Sequence, residues 1–173
     1  MVMHGDQKHT LSFACEQQIE AEANYAAGRL LFLQEAFVDR LQASALNFEH
    51  VKELGKIFGN TMTSTLWRTV ECSQSPVFGL VSQHPRRPVE EKPLRYFVRS
   101  RRFWNEFRGV TATDLFQTLQ GLCTRSKGPI GQDEILLVDT NGDRHVFFVE
   151  VFFNGYEALT LGVYRRVHAA IVT

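Results

Sequence analysis

Two Asn-Gly dipeptides, at residues 141–142 and 154–155, divide the C-terminal part of this chain into three apolar runs. An Asn-Gly pair between alternating apolar residues is the strongest short-range signal for a β-hairpin with a type I′ turn. The runs therefore predict strands over Glu134–Thr140, Arg144–Phe153 and Tyr156–Val167, joined as an antiparallel meander. The preceding part of the chain must then pack against this sheet.

The middle run, Val146–Phe153, is apolar at nearly every position. A strand with one face in water alternates apolar and polar residues, whereas a continuous apolar run indicates that both faces are covered. The sequence therefore predicts an internal strand, with helices on one face and another layer or a partner on the other.

The N-terminal half has helical periodicity instead. Apolar residues recur at intervals of three and four from Cys15 to Ala43, which predicts a long amphipathic helix. Asn47 is placed to cap a second helix over 48–58 that ends at Gly59, and a third helix is expected over 61–70.

Further strands are expected over Val77–Ser82 and Leu94–Ser100, followed by a short turn or helix over Phe103–Phe107. A helix over 113–123 would be capped by Thr113, and residues 127–132 read as a loop.

The predicted fold class is therefore α+β, with N-terminal helices packed with a mainly antiparallel C-terminal sheet. Residues 1–73 form the helical region and residues 74–173 the sheet region. The two are either separate units or one continuous domain.

Composition narrows the class of protein. The chain is 44% hydrophobic and has a net charge of zero, which is typical of a folded protein without overall attraction to nucleic acid or to a membrane surface. Cys15, Cys72 and Cys123 are odd in number and form no C-x-x-C pair, which favours reduced thiols and a cytoplasmic location. No apolar run reaches the roughly 18 residues of a membrane span, so no membrane partner is expected.

Glu22 is the first candidate functional residue. Helical spacing puts its carboxylate on the same stripe as Ile19, Ala23 and Ala26. A polar group that faces a core without a partner loses roughly 2–7 kcal/mol, so this carboxylate needs a metal, an Arg, a backbone N–H, a subunit contact or an outlet to water. The sequence leaves these alternatives open.

The segment Glu20–Leu31 resembles the E-x-E-A-N-x-F-A-x-x-L-L helix of the ImmA/IrrE family of zinc-dependent peptidases. In that family this helix supplies the third, acidic zinc ligand, and Glu22 is the residue at the matching position. A second stretch, Val51–Gly59 followed by Thr61–Arg68, is similar to the helix-turn-helix-like segment that follows the metal helix. Together the two stretches cover roughly the first seventy residues of the chain.

The zinc chemistry of the family needs two His from an H-E-x-x-H helix, and no such motif occurs in these 173 residues. The start of the chain, up to His4, fits the tail of a longer H-E-x-x-H-x-x-x-H pattern, so we expect the catalytic helix to lie upstream. His4 and His9 are five residues apart, which places them about 140° apart on a helix, but an irregular segment could bring both near Glu20 or Glu22. No cofactor is therefore expected, except zinc if an upstream segment completes the site.

A second candidate site combines cations with aromatic rings, an alternation that suits single-stranded nucleic acid. The candidate binding residues are Arg95, Arg99, Arg101, Arg102 and Trp104, interleaved with Tyr96, Phe97 and Phe103. The alternative is a strand edge with solvated arginines and inward aromatic rings. The helix-turn-helix-like segment is the weaker candidate for DNA, because its second helix carries only Arg68 as a base.

These observations favour a non-catalytic function: an ImmA/IrrE-like protein without its metal-binding helix, serving as a protein-binding or regulatory module. The resemblance implies a setting in stress response or mobile genetic elements, with a transcriptional regulator as partner. Loss of the helix would expose apolar surface, so a homo-oligomer is expected. The alternatives are a zinc metallopeptidase completed by an upstream segment or another chain, and a nucleic-acid-binding protein that uses residues 95–104.

Overall fold

The computed structural model describes residues 34–88 and 91–165. The helices in these ranges are α1 (Gln34–Gln42), α2 (Phe48–Phe58), α3 (Met62–Cys72), α4 (Arg101–Glu106) and α5 (Ala112–Leu122). The strands are β1 (Val77–Ser82), β2 (Leu94–Arg99), β3 (Gly128–Val138), β4 (Arg144–Phe153) and β5 (Ala158–Arg165). Not one of the helices described has the length and apolar character that crossing a membrane requires.

The strands form one sheet in the order β2-β1-β5-β4-β3, and every neighbouring pair is antiparallel. Helices come first along the chain and most of the sheet follows, so the predicted α+β class is confirmed. The prediction of an internal strand is also confirmed, because β4 lies between β5 and β3.

One face of the sheet packs against α4 and α5 around a cluster of phenylalanines. The Phe147 ring, fully buried on β4, lies 5.6 Å from Phe103 and 5.0 Å from Phe107 between ring centroids. Phe78 joins the cluster from β1. Its ring lies over Gly162, the residue opposite it on β5, and leaves no room for a Cβ atom there. Truncating a ring such as Phe147 to Ala should lower the free energy of unfolding by about 3–5 kcal/mol.

The α2–α3 hairpin packs on part of the other face. Its core joins Val51, Leu66 and Val70 to residues of β1 and β5. The sequence signals at its ends are confirmed: the Asn47 side chain accepts the His50 N–H at 2.8 Å, and Gly59 ends α2 with a φ of 67°. The hairpin therefore forms where its caps and apolar stripes predict it.

Both Asn-Gly pairs lie in turns, as predicted, but the type I′ geometry predicted for the first turn is wrong. At the first turn, the Gly142 N–H donates to the Asp139 carbonyl at 3.1 Å and Gly142 has a φ of 91°. This is the pattern of a three-residue loop, a type I turn followed by a left-handed residue. The reason is the Asp139 carboxylate, which accepts the N–H groups of Asn141 and Asp143 at 2.8 and 2.9 Å.

At the second turn, the Asn154 N–H donates to the Glu157 carbonyl, so the two central residues are Gly155 and Tyr156. Gly155 has a φ of 103° and occupies the first central position of the turn. The Asn154 side chain accepts the N–H groups of Tyr156 and Glu157, both at 2.8 Å. Asn154 therefore precedes the turn and stabilises it through its side chain.

Two further predictions are wrong. Residues 127–132 do not form a loop, because β3 begins at Gly128 and pairs with Phe153 of β4. Gly131 makes this early pairing possible, since a Cβ there would meet the Leu122 carbonyl at 2.5 Å. The cap of α5 is Thr111 rather than Thr113, and its hydroxyl accepts the Asp114 N–H at 3.2 Å. Of the long helix predicted over Cys15–Ala43, the structure describes only the end, as α1, and the rest of this prediction lies outside the described residues.

Candidate functional site

The residues proposed as metal ligands, His4, His9 and Glu22, lie outside the residues that the structure describes. Within 34–88 and 91–165, no three His, Cys, Asp or Glu side chains come close enough together to hold a metal ion.

The Arg- and aromatic-rich segment folds as β2 followed by α4, and Ser100 forms the junction. Its buried hydroxyl accepts the Val77 N–H at 3.0 Å and the Phe103 N–H at 3.2 Å, and it donates to the Ser75 carbonyl at 2.9 Å. The same side chain thus caps α4 and ties the end of β2 to the start of β1. This junction fixes the direction in which α4 leaves the sheet.

Arg99 and Trp104 meet across this junction. The guanidinium carbon of Arg99 lies 3.9 Å from the centre of the Trp104 ring and 4.8 Å from that of Phe97. Burial lowers the pKa of Arg99 from its ordinary value, although the group keeps its charge at neutral pH. The two rings hold the cation in one place through cation–π contacts.

The remaining predicted residues do not join this contact. Arg102 is paired with Glu106 at 2.9 Å along α4. Arg101 is exposed in the first turn of α4 and makes no ion pair with any described residue. Arg95 donates to the Lys92 carbonyl at 3.0 Å, and it is four residues from Arg99, about 13 Å along the strand. The structure therefore brings Arg99 and Trp104 together, with Arg101 and Arg102 nearby, and leaves Arg95 at the other end of β2.

Trp67 is a part of this surface that the sequence analysis missed. It lies on α3, with its ring 5.4 Å from that of Tyr96, which is 51% exposed on the opposite face of β2 from Arg99. The Trp67 indole N–H donates to Glu71 at 2.8 Å, which fixes the ring. The signal available in the sequence was a tryptophan that lies off the apolar stripe of an amphipathic helix. Arg68, the base of the helix-turn-helix-like segment, is buried and lies 3.3 Å from Glu71.

One side of the β2 backbone has no strand partner within 34–88 and 91–165. Ser100 N–H donates to the Val77 carbonyl at 2.9 Å, and alternate residues of an antiparallel strand direct their N–H and C=O groups to the same side. Val98 therefore faces β1, whereas the N–H and C=O groups of Phe97 and Arg99 point away from it. Among the described residues, β2 pairs with β1 alone.

We name this surface the β2 edge. It consists of the outward backbone groups of Phe97 and Arg99 together with the side chains of Trp67, Tyr96, Arg99, Arg101 and Trp104. Trp104 is 52% exposed, so an aromatic ring borders the free backbone on each face of the sheet. Such an edge can pair with an extended chain and contact its side chains on both faces.

No model of a known protein family matches this sequence, and no curated protein shows significant similarity to it.

Proposed function

We propose that this chain is a catalytically incomplete ImmA/IrrE-like protein that acts as a protein-binding or regulatory module. In this proposal, an extended acidic segment of the partner pairs with the β2 edge. The resemblance at Glu20–Leu31 supports the family assignment. It also supports a setting in stress response or mobile genetic elements, with a transcriptional regulator as the partner.

This binding mode is supported by the side of the β2 backbone that has no strand partner among the described residues. Phe97 and Arg99 each present an outward N–H and C=O, which a partner strand would satisfy with hydrogen bonds. Alternate side chains of that strand would then reach Tyr96 and Trp67 on one face and Trp104 on the other. Backbone pairing gives affinity in this mode, and the flanking side chains give specificity.

The charge of the edge determines the chemistry of the partner. Residues 94–106 contain four arginines, and their one acidic residue, Glu106, is already paired with Arg102. Arg99 is held between two rings, so binding a carboxylate there loses little side-chain entropy. Complementary charge favours an acidic segment and disfavours a basic one.

Fluorescence anisotropy with three labelled peptides tests this proposal. The first alternates Val and Glu, the second alternates Val and Lys, and the third repeats the first with Pro at alternate positions. We expect the Val-Glu peptide to bind. The Lys peptide should not bind because its charge is repelled, and the Pro peptide should bind at least about fivefold more weakly because it lacks backbone donors.

Variants locate the binding surface. Arg101→Glu should weaken the Val-Glu peptide severalfold, because it reverses an exposed charge beside the edge. Arg144→Glu is the matched control, since Arg144 is also exposed but begins β4, on the far half of the sheet. Equal binding of all three peptides, or an equal effect of the two variants, would contradict pairing along β2.

The enzymatic alternative places Glu22 beside an H-E-x-x-H helix from an upstream segment or another chain. Calorimetric titration with zinc tests it, with Glu22→Ala as the control. Heat no larger than that of the control would remove the metal hypothesis, whereas tight binding lost in Glu22→Ala would favour a zinc metallopeptidase.

A further inference from the structure

A second charged surface lies at the sheet end where β1 and β4 finish. In the register, Ser82 pairs with Ala158, Ala158 with Phe153, and Phe153 with Gly128. The loop that follows β1, the turn between β4 and β5, and the segment before β3 therefore emerge side by side. None of the candidate site residues predicted from the sequence lies in these segments.

His84 joins two of these segments. It is buried, and its Nδ1 accepts the Arg86 N–H at 3.2 Å, so Nε2 carries the proton and donates to the Arg125 carbonyl at 3.0 Å. Arg86 adds a second link, because its guanidinium donates to the Thr124 carbonyl at 3.1 Å. The loop 84–88 is thus fastened to the segment 124–127.

These two segments place several cationic side chains close together. Arg86, Arg87, Arg125 and Lys127 are all exposed, and none of the four makes an ion pair with a described residue. The guanidinium of Arg87 lies 5.1 Å from the centre of the Phe153 ring, which holds it over the end of β4. Residues 84–88 and 124–127 contain no acidic side chain. The neighbouring turn adds one carboxylate, Glu157, against these four cations, so this surface attracts anions although the whole chain is neutral.

An exposed aromatic ring lies in the neighbouring turn. Tyr156 is 88% exposed, and the Asn154 side chain holds its backbone N–H at 2.8 Å. The turn begins directly after Phe153, on which Arg87 stacks. A free ring beside several cations matches the two features of sequence-independent single-strand binding, which are phosphate neutralisation and base stacking.

We propose that the loops 84–88 and 124–127, together with Tyr156, bind single-stranded nucleic acid. The cations contact successive phosphates, and Tyr156 stacks on an unpaired base. A duplex offers phosphates but no free base face, so it uses only part of this surface. The site is separate from the β2 edge, and its use does not depend on the peptide-binding proposal.

The test uses a fluorescein-labelled oligothymidine of about 15 nucleotides, a length that suits single-strand sites. Anisotropy is measured between about 50 and 200 mM NaCl, because the slope of log K against log salt counts phosphate contacts at about 0.7 per contact for single strands. We expect the double variant Arg125→Ala/Lys127→Ala to reduce this slope by about 1.4. Tyr156→Ala should weaken binding about fivefold or more without changing the slope.

Control variants and competing ligands distinguish this site from the β2 edge and from unselective attraction of anions. The double variant and Tyr156→Ala should keep the wild-type melting temperature, because these side chains are exposed. Arg144→Ala should not change binding. The proposal is overturned if oligothymidine does not bind at the lower salt concentration. It is also overturned if a duplex of equal length or anionic lipid vesicles bind as tightly, or if Trp104→Ala weakens binding and Tyr156→Ala does not.

Discussion

Ser100→Ala tests whether the hydrogen bonds of the Ser100 hydroxyl at the junction between β2 and α4 stabilise the fold. The substitution removes the cap of α4, which is worth about 1 kcal/mol. It also leaves the fully buried Val77 N–H without its acceptor, which should lose about 1–3 kcal/mol more. The expected loss in the free energy of unfolding is therefore about 2–4 kcal/mol.

Urea denaturation followed by circular dichroism measures this loss directly. For a chain of this size, the melting temperature should fall by about 5–15 °C. Ser126→Ala is the matched control, because Ser126 is exposed in the segment before β3 and should change the free energy by less than about 0.5 kcal/mol. A loss equally small for Ser100→Ala would refute the assignment of the three hydrogen bonds to this hydroxyl.

Three further predictions concern other parts of the molecule. His50→Leu should raise the free energy of unfolding by about 1 kcal/mol in urea, because neither buried ring nitrogen has a hydrogen-bond partner among the described residues and the Glu53 carboxylate lies 3.8 Å from Nδ1; a loss would show that this ion pair outweighs the cost of burying the ring. At Asp139, burial opposes ionisation, but hydrogen bonds from His145, Asp143 and Asn141 outweigh it and lower the pKa. Its contribution to stability should therefore be present above the unfolded pKa of about 3.9 and be lost as the pH falls through the lower folded value, and an unchanged acid-denaturation curve in Asp139→Asn would contradict this. Leu136 is 60% exposed on β3, beside Val146 of β4, which gives an exposed apolar surface. Light scattering should therefore find oligomers of the wild-type protein that Leu136→Glu weakens. A monodisperse wild-type monomer would contradict self-association.

Local signals predicted much of the fold because each acts through its own neighbours. Asn47 and Gly59 end a helix whatever packs on it, and the apolar run of β4 is typical of an internal strand in any sheet. The errors in the type of the first turn and in the cap of α5 came from local side chains, those of Asp139 and Thr111, whereas the error at residues 127–132 came from contacts distant in sequence. The end of α5 passes so close to Gly131 that a Cβ there would not fit, and nothing local to residues 127–132 indicates this contact.

The candidate surfaces show the same division. The alternation of arginines and aromatic residues predicted a nucleic-acid-binding site at residues 95–104, which stays a prediction, although Arg99 does meet Trp104. Trp67 reaches Tyr96 only because α3 packs on β2, and His84 meets the Arg125 carbonyl across 41 residues. A single sequence shows neither contact. The metal hypothesis at Glu22 stays a prediction, since that residue lies outside the described ranges.

Amide hydrogen exchange by NMR, with and without the Val-Glu peptide, tests the central claim that a partner strand pairs with β2. The N–H groups of Phe97 and Arg99 point away from β1 and should exchange quickly in the free protein and slowly in the complex. The Val98 N–H already faces β1 and should change little. Saturating peptide that leaves Phe97 and Arg99 unprotected, or that protects only residues outside β2, would contradict the claim.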